Sequence, residues 1–266
     1  MNFLTQSLFI RGQTEEDTQD RGGMLAVWGS PSSGKTTVSV KLAYYLASRK
    51  RDVILVLTDM TAPSLSCICP PGELETEHSL GSILAAVHVT ASLVRQNCVL
   101  HKRLSHLMII GMQKGENVFT YPPYGKEQAK EFLEALRELA DDIIIDCGSV
   151  IASDILSAVA LIEADSVLRL MNCDLKSISY LSSQLPLLKD AKWDTEKQLK
   201  VLSRVKTNEA GSHVEQGIGK AAFSIPYSRE VEEQGLAGDL FQDLCLKESR
   251  GFRKEIEKIS REVYGI

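Results

Sequence analysis

The stretch Gly29–Thr36, which reads Gly-Ser-Pro-Ser-Ser-Gly-Lys-Thr, decides the fold because it fits the phosphate-loop pattern G-x-x-x-x-G-K-[ST]. The apolar run Met24–Trp28 precedes it, and Val38, Leu42 and Leu46 follow it at helical spacing. A strand, this loop and a helix in that order form an anion site, because the loop's backbone N–H groups and the positive end of the helix converge on one point. The sequence therefore predicts a site for the phosphates of a nucleotide.

Two side chains of the loop have chemistry of their own. Lys35 can reach the β- and γ-phosphates, and the hydroxyl of Thr36 can ligate Mg²⁺. We therefore expect ATP and Mg²⁺ as cofactors. The residues of this stretch expected to contact the nucleotide are Gly29, Ser30, Pro31, Ser32, Ser33, Gly34, Lys35, Thr36 and Thr37.

Two acidic residues end apolar strands. Asp146 closes Ile143–Ile145, and this pattern is typical of a carboxylate held beside the metal. Asp59 follows Val53–Leu57, where it either orients an attacking water and the metal or caps a turn. The backbone N–H of Gly148 is placed to sense a γ-phosphate. The expected catalytic residues are Lys35, Asp59 and Asp146, and the expected metal ligands are Thr36, Asp59 and Asp146.

Apolar strands alternate with amphipathic helices along the chain, which predicts an α/β fold with a doubly wound, mostly parallel sheet in three layers. We expect one domain over residues 24–266 after a polar lead-in over 1–23, and one long helix from Leu80 to Val94. The strands are expected at Met24–Trp28, Val53–Leu57, Leu107–Gly111, Ile143–Ile145, Val167–Met171, Leu199–Val205 and Ala221–Ile225.

Composition excludes several classes of protein. The 266 residues are 44% hydrophobic and 24% charged, with 30 basic and 35 acidic side chains and a net charge of −5. These are globular values, and the acidic balance disfavours nucleic-acid binding by bulk charge, although a local basic patch leaves it open. No apolar run approaches the roughly 18 residues of a membrane span, and the N-terminus lacks the pattern of a signal peptide. We expect a cytoplasmic protein.

The six cysteines and five histidines show no metal-ligand spacing. Cys67 and Cys69 are too few for a zinc site, so we expect exposed thiols in a loop. Cys98 and Cys147 have no local pattern for an iron–sulfur cluster. The histidines are expected at the surface or in loops; they are His78, His88, His101, His106 and His213.

The last helix has an apolar stripe with basic residues beside it, which allows two interpretations. The stripe is either an ordinary core contact, which the interspersed glutamates favour, or a membrane-surface contact. Membrane contact would make the protein peripheral at the inner face of the membrane. The stripe consists of Phe252, Ile256, Ile259 and Val263.

Taken in order, these segments resemble the ParA/MinD family of P-loop ATPases, the deviant Walker A group, from Met24 to about Leu240. The middle and end are most similar to its MinD and pilus-assembly (TadZ/CpaE) branches. The resemblance implies an ATP-bound homodimer that positions a protein partner of a localised machine, in pilus assembly, secretion, conjugation, partition or division. It also implies that Ser203, Arg204 and Pro226 lie at the base.

Three positions depart from the family pattern. Ser30 stands where the family has a signature lysine that reaches the partner's phosphates, Leu57 replaces the first carboxylate of switch I, and Ser203 replaces an asparagine that reads adenine. The resemblance thus implies a weak ATPase that dimerises with ATP. Two alternatives remain: a nucleotide-binding scaffold that does not hydrolyse ATP, and a small-molecule or tyrosine kinase on the same fold. A tyrosine kinase would need a tyrosine-rich tail, and only Tyr264 lies there.

Overall fold

The computed structural model describes residues 22–69, 78–206, 215 and 219–266, which build an eight-stranded sheet in the order β3-β4-β2-β5-β1-β6-β7-β8. Every neighbouring pair is parallel except β3 with β4. Most of the expected lead-in lies outside the described residues. The strands are β1 Gly23–Gly29, β2 Val53–Leu57, β3 Val99–Leu100, β4 Leu107–Ile110, β5 Asp142–Asp146, β6 Ser166–Asn172, β7 Gln198–Val205 and β8 Phe223–Pro226.

Helices cover both faces of the sheet, so the expected three-layer, doubly wound fold is confirmed. Side chains alternate along β1, and Ala26 packs in one apolar cluster with Phe132 while Leu25 packs in the other with Leu42 and Ile256. The helices are α1 Lys35–Ser48, α2 Leu65–Ile68, α3 Leu80–Leu84, α4 Ala91–Gln96, α5 Lys126–Arg137, α6 Ile155–Glu163, α7 Leu175–Gln184, α8 Arg229–Ala237 and α9 Arg250–Tyr264.

The sheet order brings the expected site together. Strand β5 lies between β1 and β2, with Asp146 opposite Val27 on one side and Leu57 on the other. The carboxyl ends of these three strands therefore meet at one edge, where ligands bind in parallel sheets. The loop after β1, Asp59 after β2 and Asp146 all lie at this edge.

The long helix expected from Leu80 to Val94 is wrong, because the structure has α3 and α4 with a break between them. The hydroxyl of Thr90 accepts a hydrogen bond from the backbone N–H of Leu93 at 3.3 Å and starts the second helix. The N–H of Val89 is bonded to the Glu131 carboxylate of α5 at 2.8 Å. Tertiary contact thus satisfies backbone groups that a continuous helix would have bonded internally. The short edge strand β3 was also not anticipated.

One thiol expected to be exposed is buried, and one histidine expected at the surface or in a loop lies in a loop but is buried. Cys69 is buried at the end of the α2 segment, whereas Cys67 is exposed as expected. His101 is buried with its ring edge-on to Phe241, the ring centroids 4.8 Å apart. The contact with Phe241 forms between distant parts of the chain, so local sequence gave no sign of it. His213 lies outside the described residues.

The apolar stripe of the last helix is a core contact, so the membrane interpretation of this stripe is wrong. Phe252, Ile256 and Ile259 are buried in the cluster that also contains Val38 and Leu42 of α1. A stripe already packed against the sheet is not free to enter lipid. Within the described ranges, every helix is too short or too polar to cross a bilayer.

A buried ion pair secures the amino end of β5. The guanidinium of Arg51 donates to both carboxylate oxygens of Asp142, through Nε and through Nη2 at 2.7 Å. The Asp142 side chain is fully buried, and the Arg51 side chain is 13% exposed. Removal of the arginine would leave a carboxylate in the core without its counter-charge.

We predict that Arg51→Ala lowers the free energy of unfolding by about 3 kcal/mol, because the Asp142 carboxylate loses its partner. Urea denaturation of the purified protein measures the change. The control is Arg229→Ala, which removes an exposed ion pair to Glu233 and should cost less than about 0.5 kcal/mol. Equal changes in the free energy of unfolding for the two substitutions would show that the buried pair stabilises the protein no more than the exposed pair does.

Candidate functional site

The loop after β1 requires glycine at its first position because the backbones are in close contact. A Cβ atom on Gly29 would lie 1.9 Å from the carbonyl oxygen of Leu170 in the neighbouring strand. The next N–H, that of Ser30, donates to the same carbonyl at 3.1 Å. At the other end Gly34 has a φ of 82°, in the left-handed region that favours glycine, and starts α1. The loop is therefore shaped by its two glycines.

Lys35, in the first turn of α1, is bonded to the segment that follows β5. Its Nζ donates to the hydroxyl of Ser149 at 2.7 Å and to the carbonyl of Ser30 at 3.4 Å. Burial lowers the pKa of this lysine, and the negative charges of Asp146 and Asp59 oppose that shift. Lys35 is partly buried, and because its two hydrogen-bond acceptors among the described residues are neutral, phosphate oxygens would be stronger partners for its ammonium.

Asp146 is held against α1 by two hydroxyls. Thr36 donates to its Oδ2 at 2.6 Å and Ser39 to its Oδ1 at 3.3 Å. Burial raises the pKa of Asp146 to about 6, although the hydroxyl of Thr36 and the charge of Lys35 lower it. The structure therefore brings Thr36 and Asp146, two of the expected metal ligands, together.

The donor set fits Mg²⁺ delivered with a nucleotide. Hydroxyl and carboxylate oxygens are the ligands Mg²⁺ prefers, and phosphates and water usually complete its shell. Among the described residues no group of three or more histidine, cysteine or acidic side chains could hold a metal by itself.

Asp59 performs the structural role that the sequence analysis left open as its alternative. Its Oδ1 accepts the backbone N–H groups of Thr61 at 2.8 Å and Ala62 at 2.9 Å, so it caps the turn after β2. It also lies close enough to Lys35 and Asp146 to shift the pKa of each. Asp59 therefore caps the turn and also lies near the charged groups of the site.

The N–H of Gly148, expected to sense a γ-phosphate, is already bonded in this structure. It donates to the hydroxyl of Thr58 at 3.1 Å and to that of Ser157 at 2.9 Å. The Thr58 hydroxyl in turn donates to the carbonyl of Asp146 at 3.1 Å. Contact with a phosphate would require Gly148 to leave these partners.

Ser30 does not face the open side of the site. Its hydroxyl is 2.9 Å from that of Ser177 in α7, and the residue is 1% exposed. Asn172, at the end of β6, donates to the carbonyl of Ser32 at 3.3 Å. The start of α7 therefore supports the phosphate loop from behind, and a neutral hydroxyl occupies the position where the resemblance called for a lysine.

The structure places two of the three expected base-binding residues beside the loop. From the position of a Cβ on Gly34, the hydroxyl of Ser203 is 3.6 Å away and side-chain carbons of Arg204 are 3.9 Å away. Pro226 ends the next strand, β8, and packs against Gly251 at the start of α9. It therefore lies one strand further from the loop.

Sequence reasoning missed Ser149, which holds Lys35. Its carbonyl accepts a hydrogen bond from the hydroxyl of Tyr180 in α7, which positions the segment. The one local signal was its place directly after Gly148, in the segment expected to respond to the γ-phosphate. The contact itself joins residues 114 apart in the chain, so no periodic pattern could indicate it.

A cavity of about 1010 Å³ opens in front of the loop, at the edge of the sheet where Asp59 and Ser149 lie. Its polar end includes Thr58, Asp59 and Ser149, and the segment that leads from β4 to α5 forms much of its apolar wall. Three apolar residues of its lining are largely exposed to solvent, namely Val118, Phe119 and Val150.

Comparison with known proteins places this geometry in a family. The family model described as AAA domain matches residues 31–201, well over half of the chain. A search of curated proteins found no significant match.

Solved structures share the fold. The ParA family ATPase from Chlorobium tepidum TLS is 18% identical, with a TM-score of 0.75 and coverage of 90% of this chain and 98% of that one. The septum site-determining protein MinD from Pyrococcus horikoshii OT3, solved with Mg-ADP, is 19% identical, with a TM-score of 0.68 and coverage of 90% and 95%. The MinC:MinD complex of Aquifex aeolicus matches at 19% identity, a TM-score of 0.70 and coverage of 91% and 96%.

We predict that Ser149→Ala raises ATP affinity about fivefold, because the substitution removes the acceptor that competes with phosphate for Lys35. Calorimetric titration with ATP and Mg²⁺ measures it. Lys35→Ala should instead weaken binding by about 100-fold or more, since charged hydrogen bonds to phosphate are lost. The control is Ser153→Ala, an exposed serine of the same segment, which should change nothing. Weaker binding by Ser149→Ala would mean that its hydroxyl contacts the nucleotide.

Proposed function

The chain belongs to the AAA domain family, in its ParA/MinD-like group of P-loop ATPases, and from this premise we propose that it is an ATP-dependent switch protein. In this proposal ATP and Mg²⁺ bind at the loop, two copies associate, and the pair positions a protein partner. Residues 24–266 act as one domain after a lead-in over 1–23. The protein is cytoplasmic, and nucleic acid is not its favoured partner because the net charge is −5.

The hydrogen bond from Lys35 to Ser149 is the observation that carries the proposal. Lys35 uses two of its three N–H groups on the hydroxyl of Ser149 and the carbonyl of Ser30, so phosphate oxygens that take more than one N–H would compete with these acceptors. Phosphate, as a charged acceptor, competes well against a neutral hydroxyl. ATP binding would therefore release Ser149 and shift the equilibrium of the segment, which is the local event that a nucleotide switch needs.

Mg²⁺ would be held by the hydroxyl of Thr36, with Asp146 beside it, and would neutralise charge on the phosphates. Thr36 and Asp146 are already in contact at 2.6 Å, so the oxygens are pre-positioned. Lys35 would bind the β- and γ-phosphates. The hydroxyl of Ser203 and the side chain of Arg204 would lie against the base, on the far side of Gly34.

Hydrolysis is proposed to be slow. Phosphoryl transfer gains large factors from positive charge supplied in trans, and Ser30 provides a buried neutral hydroxyl where the resemblance places that charge. Lys35 remains to bind ATP, and Asp59 remains at the phosphate end to orient a water. The site therefore retains what binding requires and lacks one contributor to rate.

The alternatives differ in what they require. A scaffold that does not hydrolyse ATP would have the same bound dimer with no turnover. A tyrosine kinase with a phosphorylated tail is disfavoured, because Tyr264 is fully buried and donates to the carbonyl of Ile143 at 3.2 Å. A small-molecule kinase would have to bind its acceptor in the cavity in front of the loop.

A solved complex supports a protein partner. The Aquifex aeolicus relative is a complex of MinD with the protein MinC, so we propose a protein partner here as well. The similarity of the sequence to the MinD and pilus-assembly branches makes a localised machine in pilus assembly, secretion, conjugation, partition or division the expected setting.

We predict that ATP with Mg²⁺ shifts the protein towards a dimer and that ADP does so less, because only ATP has the γ-phosphate that releases Ser149. Sedimentation velocity with ATP, with ADP and without nucleotide measures the mass. Lys35→Ala serves as the control and should stay monomeric in all three conditions. An unchanged mass of the native protein in all three would contradict the switch.

We predict that steady-state turnover at saturating ATP is slow, below about 10⁻² s⁻¹, the scale of nucleotide switches without added positive charge in trans. Asp59→Asn should lower it a further 10-fold or more, since the amide still caps the turn but no longer carries the charge that orients a water. Phosphate release reports the rate. Turnover no higher than that of Lys35→Ala would favour the scaffold, and rapid turnover would overturn the argument from Ser30.

A further inference from the structure

The cavity in front of the phosphate loop is far larger than hydrolysis requires. Its volume of about 1010 Å³ exceeds the roughly 30 Å³ share of one water molecule by more than an order of magnitude. Thr58, Asp59 and Ser149 form a polar end, the lining also contains the polar residues Thr61, Asn117, Ser153 and Asp154, and its other side chains include several that are apolar or aromatic. These are Leu84, Met112, Val118, Phe119, Tyr121 and Tyr124.

The apolar wall is built before any ligand arrives. The hydroxyl of Tyr121 donates to Glu116 at 2.6 Å, and its ring packs so closely on Gly81 that a Cβ there would lie 2.2 Å from the ring. The hydroxyl of Tyr124 accepts the N–H of Leu156 at 3.2 Å, which ties the wall to α6. A pocket held in this way can receive an apolar group without reorganising.

Phe119 stands at the rim of this cavity and is 92% exposed. Its backbone is held in a tight turn by three hydrogen bonds of 2.9 Å each. The N–H of Phe119 donates to the side chain of Asn117, and the N–H of Asn117 donates to the hydroxyl of Thr120. The N–H of Thr120 donates to the carbonyl of Asn117. An aromatic ring presented on a rigid turn loses little conformational entropy on binding, as interface anchors typically do.

The neighbours of Phe119 continue the apolar surface. Val118 beside it is 54% exposed, and Val150, on the far side of the cavity in the segment after β5, is 61% exposed. Exposed apolar side chains grouped around one cavity mark an association surface more often than chance exposure does. They surround the place where the γ-phosphate would lie.

We propose that Phe119 of each protomer inserts into the partner copy's cavity in the ATP-bound dimer. The inference rests on the proposed function, because it names the contact by which that dimer forms. A rigid apolar side chain and an apolar cavity on the same face are self-complementary, which is what an interface around a two-fold axis requires. With the axis near the cavity mouths, a ring standing on one rim faces the other copy's cavity.

Insertion would also complete the nucleotide site. The cavity opens towards Asp59 and Ser149, so in a single copy the γ-phosphate side is open to water. A ring from the partner would fill the apolar part and leave room beside Asp59 for the attacking water. Lys35 contacts Ser149, which precedes Val150 in the chain, so nucleotide binding and ring insertion would act on the same segment.

The first test compares Phe119→Ala and Phe119→Leu with Leu236→Ala, an exposed apolar residue of α8 that does not line the cavity. Sedimentation with ATP and Mg²⁺ gives the dimer dissociation constant, and calorimetry at low protein concentration gives ATP affinity. We expect Phe119→Ala to weaken the dimer about 30-fold or more, the loss typical of an interface anchor. Phe119→Leu should lose less, Leu236→Ala nothing, and ATP affinity should not change.

The second test asks whether the contact joins two copies. In a background with the exposed Cys67 and Cys245 replaced by serine, Phe119→Cys protomers are mixed with tagged Val150→Cys protomers and oxidised. We expect a disulfide-linked pair of one untagged and one tagged chain with ATP, and little with ADP. The matched mixture of Leu236→Cys with tagged Val150→Cys should give no such pair.

The outcomes separate the inference from the function on which it rests. If the native protein forms no ATP-dependent dimer, the proposed function fails together with the inference. If it forms the dimer but Phe119→Ala and Phe119→Leu associate as tightly as the native chain, only the inference is overturned. It is equally overturned if the Phe119 variants keep the dimer but lose binding of a partner protein, or if the cavity accepts a small-molecule phosphoryl acceptor in the ATP-bound dimer.

Discussion

The buried carboxylate of Asp146 connects the parts of the nucleotide site. Its side chain accepts hydroxyls from Thr36 and Ser39 of α1, and its carbonyl accepts the N–H and hydroxyl of Thr58 after β2. Its strand lies between β1 and β2, so the phosphate loop, the metal position and the turn at Asp59 are assembled around this one residue. Burial without these donors would strongly disfavour the charged form.

A small number of hydrogen bonds around Lys35 lets the site respond to a bound nucleotide. Lys35 has Ser149 as its hydroxyl acceptor, Gly148 has Thr58 and Ser157, and Tyr180 positions Ser149 from α7. These hydrogen bonds form without nucleotide, and a bound phosphate could replace an acceptor in them or displace the segment that they hold. The segment between β5 and α6 is held by these hydrogen bonds and by Cys147 and Ile151, which are buried in the core, so only the part around Gly148 and Ser149 depends on contacts that a phosphate could replace.

Ser30, which departs from the family pattern, has a structural role in the packing under α7. The sequence identified only a missing positive charge, whereas the structure shows the hydroxyl paired with Ser177 and buried beneath α7. A long charged side chain at this position would have to leave that contact and turn outward. Ser30 is thus part of the packing that supports the loop, and it also supplies no positive charge for catalysis.

The strands, the phosphate loop and Asp146 could be predicted because they depend on neighbours in the sequence: runs of apolar residues, and glycines and a lysine at set spacing. The break between α3 and α4, the burial of Cys69 and His101, and the packing of the last helix against α1 could not be predicted locally. Sequence could equally not choose between turn cap and catalytic carboxylate for Asp59. For the helix break and for Lys35 the deciding partner, Glu131 or Ser149, is far away in the chain. Asp59 caps a turn with its close neighbours Thr61 and Ala62, and only the sheet brings it near Lys35 and Asp146. A periodic pattern records which side of an element is apolar, whereas a hydrogen bond between distant residues exists only once the sheet has set their positions.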